Sequence, residues 1–127
     1  MELNVITGTI VDAAFRVHRA LGPGLMETAY RACLVHELRK RGLTVETEVK
    51  LPIAYDGIRL DVGYRIDLLV EDKVIVELKA VTRVLPIHEA QLLSYLRLSD
   101  RRVGLLINFH VVRFRDGVRR IVNNAPE

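Results

Sequence analysis

Two runs of the chain, Tyr64-Arg65-Ile66-Asp67-Leu68-Leu69-Val70 and Val74-Ile75-Val76-Glu77-Leu78-Lys79, flank the polar triplet Glu71-Asp72-Lys73. Aliphatic, β-branched runs of strand length around a short polar break predict a β-hairpin. Side chains alternate faces along a strand, so Glu77 and Lys79 point the same way. A two-residue turn at Glu71-Asp72 pairs Val70 with Lys73 and puts Asp67 and Glu77 on opposite faces. A three-residue turn pairs Val70 with Val74, Leu68 with Val76, and Asp67 with Glu77. Only the second register gathers Ile66, Leu68, Val70, Val74, Val76 and Leu78 on one face and Asp67, Glu77 and Lys79 on the other. Register follows the buried face, so the three-residue turn is expected.

Two carboxylates and a lysine then share a sheet whose other residues are aliphatic. Directly opposed like charges repel, and ionised groups are rarely buried unless paired or metal-bound. Two readings stay open. Lys79 forms a salt bridge with one carboxylate, or Asp67 and Glu77 supply two hard oxygen ligands for a Mg²⁺ that keeps several waters for a phosphate substrate. In the second case Lys79 is a point charge for that phosphate.

A chain of 127 residues, half of them hydrophobic, is expected to form one globular domain over residues 1–127. The single Cys33 excludes an internal disulfide and falls in a helical pattern that predicts a buried packing role. No Cys/His set has zinc-ligand spacing. No apolar run approaches the roughly 20 residues that span a membrane, and no charged-then-apolar leader opens the sequence, so a cytoplasmic protein without membrane attachment is expected. The net charge of +3 is unevenly placed: residues 1–95 hold 12 Lys/Arg against 13 Asp/Glu, and residues 96–127 hold 7 Arg against 3 acids. An arginine-rich end suits a polyanionic partner, and also suits a merely solvated surface.

Periodicity predicts a helix over about residues 4–21, with Ile10, Ala14, Val17 and Leu21 on one side, stopped by Gly22. A second helix is expected from about Leu25 to Arg41, with Glu27, Tyr30, Arg31, Leu34 and Leu38 on one side. Glu27 is then either an inward-facing site carboxylate or a first-turn acid that favours the helix dipole. Leu43–Val49 alternates as a half-exposed strand, and Pro52–Tyr55, Asp56-Gly57 and Ile58–Leu60 read as a hairpin. A bend at Asp61–Gly63 leads into the central hairpin, so four antiparallel strands are expected in sequence order. Pro86 opens a third helix to about Ser99, with Leu92, Leu93 and Leu96 on one side and Ile87, Gln91, Tyr95 and Leu98 on another. That helix is expected to be covered on two sides, with Gln91 and Tyr95 as an inward polar pair. Val103–Phe109 is a continuous apolar strand of the parallel, doubly buried kind. A final hairpin, Val111–Phe114 with Val118–Val122 around Asp116-Gly117, is expected to close the fold.

Acidic helix, Asp strand, Glu-x-Lys strand and Gln helix, in that order, resemble the PD-(D/E)xK nuclease superfamily. Gly24-Leu25-Met26-Glu27-Thr28-Ala29-Tyr30 resembles the motif that names its GxxExxY branch, Gln91-Leu92-Leu93-Ser94-Tyr95 is similar to a QxxxY signature, and Ile107-Asn108-Phe109 looks like that branch's late strand. The resemblance covers essentially the whole chain. It departs at Ile66, where the superfamily pattern has proline.

The resemblance implies a restriction-endonuclease-like α/β fold: a mixed, mostly antiparallel sheet flanked by three helices. It implies metal-dependent phosphodiester hydrolysis of nucleic acid, DNA ahead of RNA. Asp67, Glu77 and the Leu78 carbonyl would ligate Mg²⁺ or Mn²⁺. Lys79 would orient the attacking water or neutralise the scissile phosphate. Glu27 would complete the metal's shell, Gln91 would position Lys79 or the water, and Tyr30 and Tyr95 would stand behind them. Arg97, Arg101 and Arg102 are the leading phosphate-tracking residues, with Arg113, Arg115, Arg119 and Arg120 as alternatives. A non-cleaving nucleic-acid- or protein-binding module on the same fold is the competing reading. A small nuclease acting as a symmetric homodimer is a third.

Overall fold

The computed structural model describes residues 1–124. Helix α1 (Leu3–Leu21) buries Ile6, Ile10, Ala13, Ala14 and Val17 along one stripe. It stops at Gly22, whose φ of 74° few side chains tolerate. Helix α2 (Glu27–Lys40) starts later than its periodicity suggests, because Met26 is still extended. Glu27 is therefore its first residue, at the positive end of the helix dipole. Tyr30, Leu34, Val35 and Leu38 are its buried side.

Five strands form one sheet in the order β1 (Val45–Lys50), β4 (Arg65–Val70), β5 (Val74–Lys79), β6 (Val103–Asn108), β7 (Val118–Val122). All neighbours are antiparallel except β5 and β6, which run parallel. The three-residue turn and its register are as expected: Val70 pairs with Val74, Leu69 with Ile75 and Leu68 with Val76. Glu71 and Asp72 turn the chain with φ of 53° and 56°. All six residues of β6 are buried, as an interior parallel strand requires. Strands β2 (Ile53–Tyr55) and β3 (Ile58–Leu60) make their own two-stranded ribbon around Asp56-Gly57. They do not enter the main sheet, so the expected run of four sequential antiparallel strands is replaced by a jump from β1 to β4.

Helices α1 and α2 cover one face over Leu68, Val70, Val74, Val76, Leu78, Leu105 and Ile107. Helix α3 (Pro86–Ser99) covers the other over Ile66, Leu69, Ile75 and Leu106. The architecture is a mixed α/β sheet flanked by three helices, as expected.

Several expectations are corrected. Ile66 packs under α3, not with Leu68 and Val70, because the alternation breaks between Ile66 and Leu68, across from Glu48 with its φ of 50°. Helix α3 is covered on one side only: Leu92, Tyr95 and Leu96 are buried while Ile87, Gln91 and Leu98 are exposed. Cys33 is exposed. No strand forms over Val111–Phe114. Phe114 instead opens a 3₁₀ turn (Phe114–Gly117) and drops into the core beside Phe15, His18 and Phe109, and β7 takes β6 as its partner. A Cβ on Gly117 would collide with the Asn108 carbonyl, so only glycine fits this close approach.

Candidate active site

The β4–β5 ladder stops at Leu68–Val76, although both strands continue. On the other side of β4 the ladder skips Asp67 and Glu48, pairing Thr47 with Leu68 and Val49 with Ile66. Asp67 thus sits where both flanking ladders are interrupted. Its backbone N–H donates to Glu77 Oε2 at 2.8 Å, and the Leu78 N–H donates to Asp67 Oδ2 at 2.9 Å. Two side-chain carboxylates replace backbone carbonyls as acceptors, which keeps the freed amides satisfied.

The gap between β4 and β5 is reached from both faces of the sheet. From the α2 side, Arg31 places Nη1 3.7 Å from Asp67 Oδ1 and Nη2 3.5 Å from Glu48 Oε1. Glu27, one turn earlier, is half-buried, and its carboxyl is pushed up by burial and by Asp67, against the pull of Lys79 and Arg31. From the α3 side comes Tyr95, whose hydroxyl is pushed up by burial, then by Glu77, Tyr64 and Asp67. Gln91 Nε2 donates to that hydroxyl at 3.2 Å.

Glu77 is the most perturbed of these groups. It is 7% exposed, and burial followed by the charge of Asp67 pushes its carboxyl from 4.5 up to about 8, with Lys79 pulling the other way. Held this high, the carboxyl keeps its proton at neutral pH unless a positive charge is brought beside it.

Among the described residues, no three His, Cys, Asp or Glu side chains are grouped to hold a metal ion. The available donors are the Asp67 and Glu77 carboxylates and the backbone beside them. That set suits an oxygen-seeking ion that keeps several of its waters, and such an ion would offset the burial and the Asp67 charge that together raise Glu77.

The structure therefore brings Glu27, Asp67, Glu77, Lys79 and Tyr95 into one electrostatic group. Gln91 joins it only through Tyr95, from an exposed position rather than the inward one expected. Tyr30 is fully buried and stacked on Phe109 with ring centroids 4.4 Å apart. Its hydroxyl accepts the Leu25 N–H at 2.9 Å and donates to the Gly22 carbonyl, so it staples the turn that delivers Glu27.

Arg97, Arg101 and Arg102 are not at this site. Strands β5 and β6 are parallel, with Lys79 beside Asn108 and Val74 beside Val103. Arg101 and Arg102 precede Val103, so they lie at the opposite end of the sheet, five residues or roughly 17 Å away along the strand. Arg101 is paired there with Asp72 at 2.7 Å. Arg97 lies in the last turn of α3, towards the same far end.

Two residues of the site carried no role in the sequence reading. Arg31 shared the inward side with Glu27, and the i, i+4 spacing was the available signal. Asn108 is buried, and its side chain bonds both the N–H and the carbonyl of Val81 at 3.1 and 2.9 Å. It fixes the chain just after Lys79.

A family model described as the PD-(D/E)XK nuclease superfamily matches residues 4–121. Among solved structures, the chain is similar to one titled "Crystal structure of SSO0001". The two share 22% identity and a TM-score of 0.56, over 92% of this chain and 67% of that one, a likeness of fold. None of the curated proteins matches.

Proposed function

The chain belongs to the PD-(D/E)XK nuclease superfamily, and from that premise we propose that it hydrolyses phosphodiester bonds of nucleic acid with Mg²⁺ or Mn²⁺ bound at Asp67 and Glu77. The observation that carries this is the reciprocal bonding of Asp67 and Glu77 where β4 and β5 separate, with Glu77 raised to about 8 and Lys79 on the same strand.

Asp67, Glu77 and the Leu78 carbonyl would hold the ion, with Glu27 reaching it through water. When bound, such an ion lowers the pKa of a water and offsets charge building on the phosphate. Lys79 contributes a fixed positive charge two residues along the strand, placed to hold the scissile phosphate. Asn108 keeps the Lys79–Val81 backbone in place. Gln91 donates to the Tyr95 hydroxyl and so holds that ring beside Glu77, whose charge the hydroxyl senses. Arg31 neutralises Asp67 until a stronger cation arrives.

Within the superfamily, Gly24, Glu27 and Tyr30 support placement in the GxxExxY branch. DNA is the proposed substrate ahead of RNA. A homodimer would give so small a domain two active sites for two strands. No helix among the described residues is long and apolar enough to cross a membrane.

The test is Mn²⁺-dependent cleavage of single-stranded, duplex and branched DNA and RNA by wild type and Asp67→Asn. Cleavage by wild type alone is expected. Salt-sensitive binding by wild type without cleavage of any substrate would instead favour a non-cleaving binding module.

A further inference from the structure

A cavity of about 510 Å³ opens between the last turns of α1 and the segment after β6. Its lining includes Phe15, Arg19, Pro23, Val112, Arg113 and Arg115, and no acidic side chain among the described residues lines it. Phe15 is 46% exposed and Val112 89% exposed. Of the three guanidinium groups, Arg113 has a carboxylate partner, Asp116 at 3.3 Å. Among the described residues, Arg19 and Arg115 have none.

The cavity belongs to the same end of the sheet as Lys79. Strand β6 runs parallel to β5, so the segment that follows Asn108 emerges beside Lys79. Pro23 lies four residues before Glu27, which limits their separation to about 14 Å. The walls are tied together. His18 Nε2 donates to the Val111 carbonyl at 2.7 Å, and His110 Nδ1 donates to the Pro23 carbonyl at 3.0 Å. A preformed pocket loses little entropy on binding.

From these observations we infer that this cavity is a subsite for unpaired nucleic acid, with a backbone phosphate between Arg19 and Arg115 and a base on the ring of Phe15. The inference rests on the hydrolase reading above and extends it to how the substrate strand leaves the cleft. An apolar, aromatic floor under unopposed guanidinium groups is the combination that holds single strands without reading sequence. A paired base has no free face for Phe15, so the subsite selects single-stranded or frayed substrate.

The experiment uses the full chain. Affinity for a single-stranded 8-mer carrying 2-aminopurine, and for a duplex of equal length, is measured in Ca²⁺ across a salt series. Hydrolysis of bis(4-nitrophenyl) phosphate in Mn²⁺ is followed in parallel, because that small diester needs only the cleft. Arg19→Glu with Arg115→Glu should weaken single-strand binding at least tenfold and lower the salt slope by about 0.7, the one phosphate held between them. Small-diester hydrolysis should stay at the wild-type rate. Phe15→Leu, which keeps an apolar side chain beside Phe114, should lose 2-aminopurine quenching and several-fold in affinity. Unchanged affinity and slope in the arginine pair overturns the subsite, as does wild type binding duplex as tightly as single strand or binding neither. Strand binding that depends on Arg19 and Arg115, without diester hydrolysis by wild type, leaves the subsite standing and overturns the hydrolase reading.

Discussion

Arg31 Nη1 lies 3.7 Å from Asp67 Oδ1, so the carboxylate we propose as a metal ligand already faces a cation from the protein itself. Its other nitrogen faces Glu48, a second carboxylate that can keep the guanidinium once Asp67 is taken. The two side chains keep 24% and 18% of their exposure, and at 3.7 Å a partly solvated pair contributes roughly 0.2–1 kcal/mol.

Arg31→Gln should therefore tighten Mn²⁺ binding by up to about fivefold, the removed competition expressed as affinity. Asp67→Asn should abolish the metal-dependent rise in melting temperature that linkage predicts for wild type. Calorimetric titration and thermal melts with and without metal check both. Weaker Mn²⁺ binding by Arg31→Gln would show that the arginine supports the ion rather than competing with it.

Stability without metal should fall as pH rises. The Glu77 carboxyl is raised in the folded protein to about 8 from 4.5, so between those values the native state holds a proton that the unfolded chain has lost. By linkage the stabilisation is complete below about 4.5 and is lost as pH rises through about 8. Glu27, also raised, adds to the same slope, whereas Glu37, Asp61 and Glu71 are lowered and act only at acid pH. Melts in EDTA from pH 5.5 to 8.5 should show declining stability in wild type and a flatter profile in Glu77→Gln. Saturating Mg²⁺ should flatten the wild-type profile too.

Lys79→Ala should abolish Mn²⁺-dependent cleavage while leaving most nucleic-acid affinity intact, since one lost phosphate contact removes about one unit of salt dependence. Arg101→Ala with Arg102→Ala should change strand affinity by less than about twofold, because both sit at the far end of the sheet. Cleavage and affinity measured side by side across a salt series separate the two. A large loss of affinity in the second variant would mean that the strand passes over the Glu71–Lys73 turn.

Tyr30→Phe should cost roughly 1–3 kcal/mol in denaturant unfolding, since it leaves the Leu25 N–H and the Gly22 carbonyl without their partner. The ring would still stack on Phe109, so the fold should persist. Cleavage should fall further than stability explains, because the same turn delivers Glu27. Full activity in a destabilised Tyr30→Phe would make the hydroxyl a structural staple alone.

Local pattern was enough to predict the central hairpin, its turn and its register, because a one-residue slip would have exposed Val70, Val74 and Val76. The third helix, opened by Pro86, and the buried parallel strand were legible for the same reason: short-range periodicity states which side chains share a face. Periodicity is silent about which strand lies next to which, and about which ends of the elements meet. That β1 passes over the β2–β3 ribbon to pair with β4 decided that Asp67 would sit between two interrupted ladders. The break in alternation there carried Ile66 to the α3 face and opened the gap that Arg31 enters from α2. The parallel pairing of β5 with β6 sent Arg101 and Arg102 to one end of the sheet and the Val111–Arg115 segment to the other. Seven arginines that look like one basic tail in the sequence are thereby distributed over two ends and an edge strand, because long-range backbone pairing, not sequence proximity, sets where charges meet.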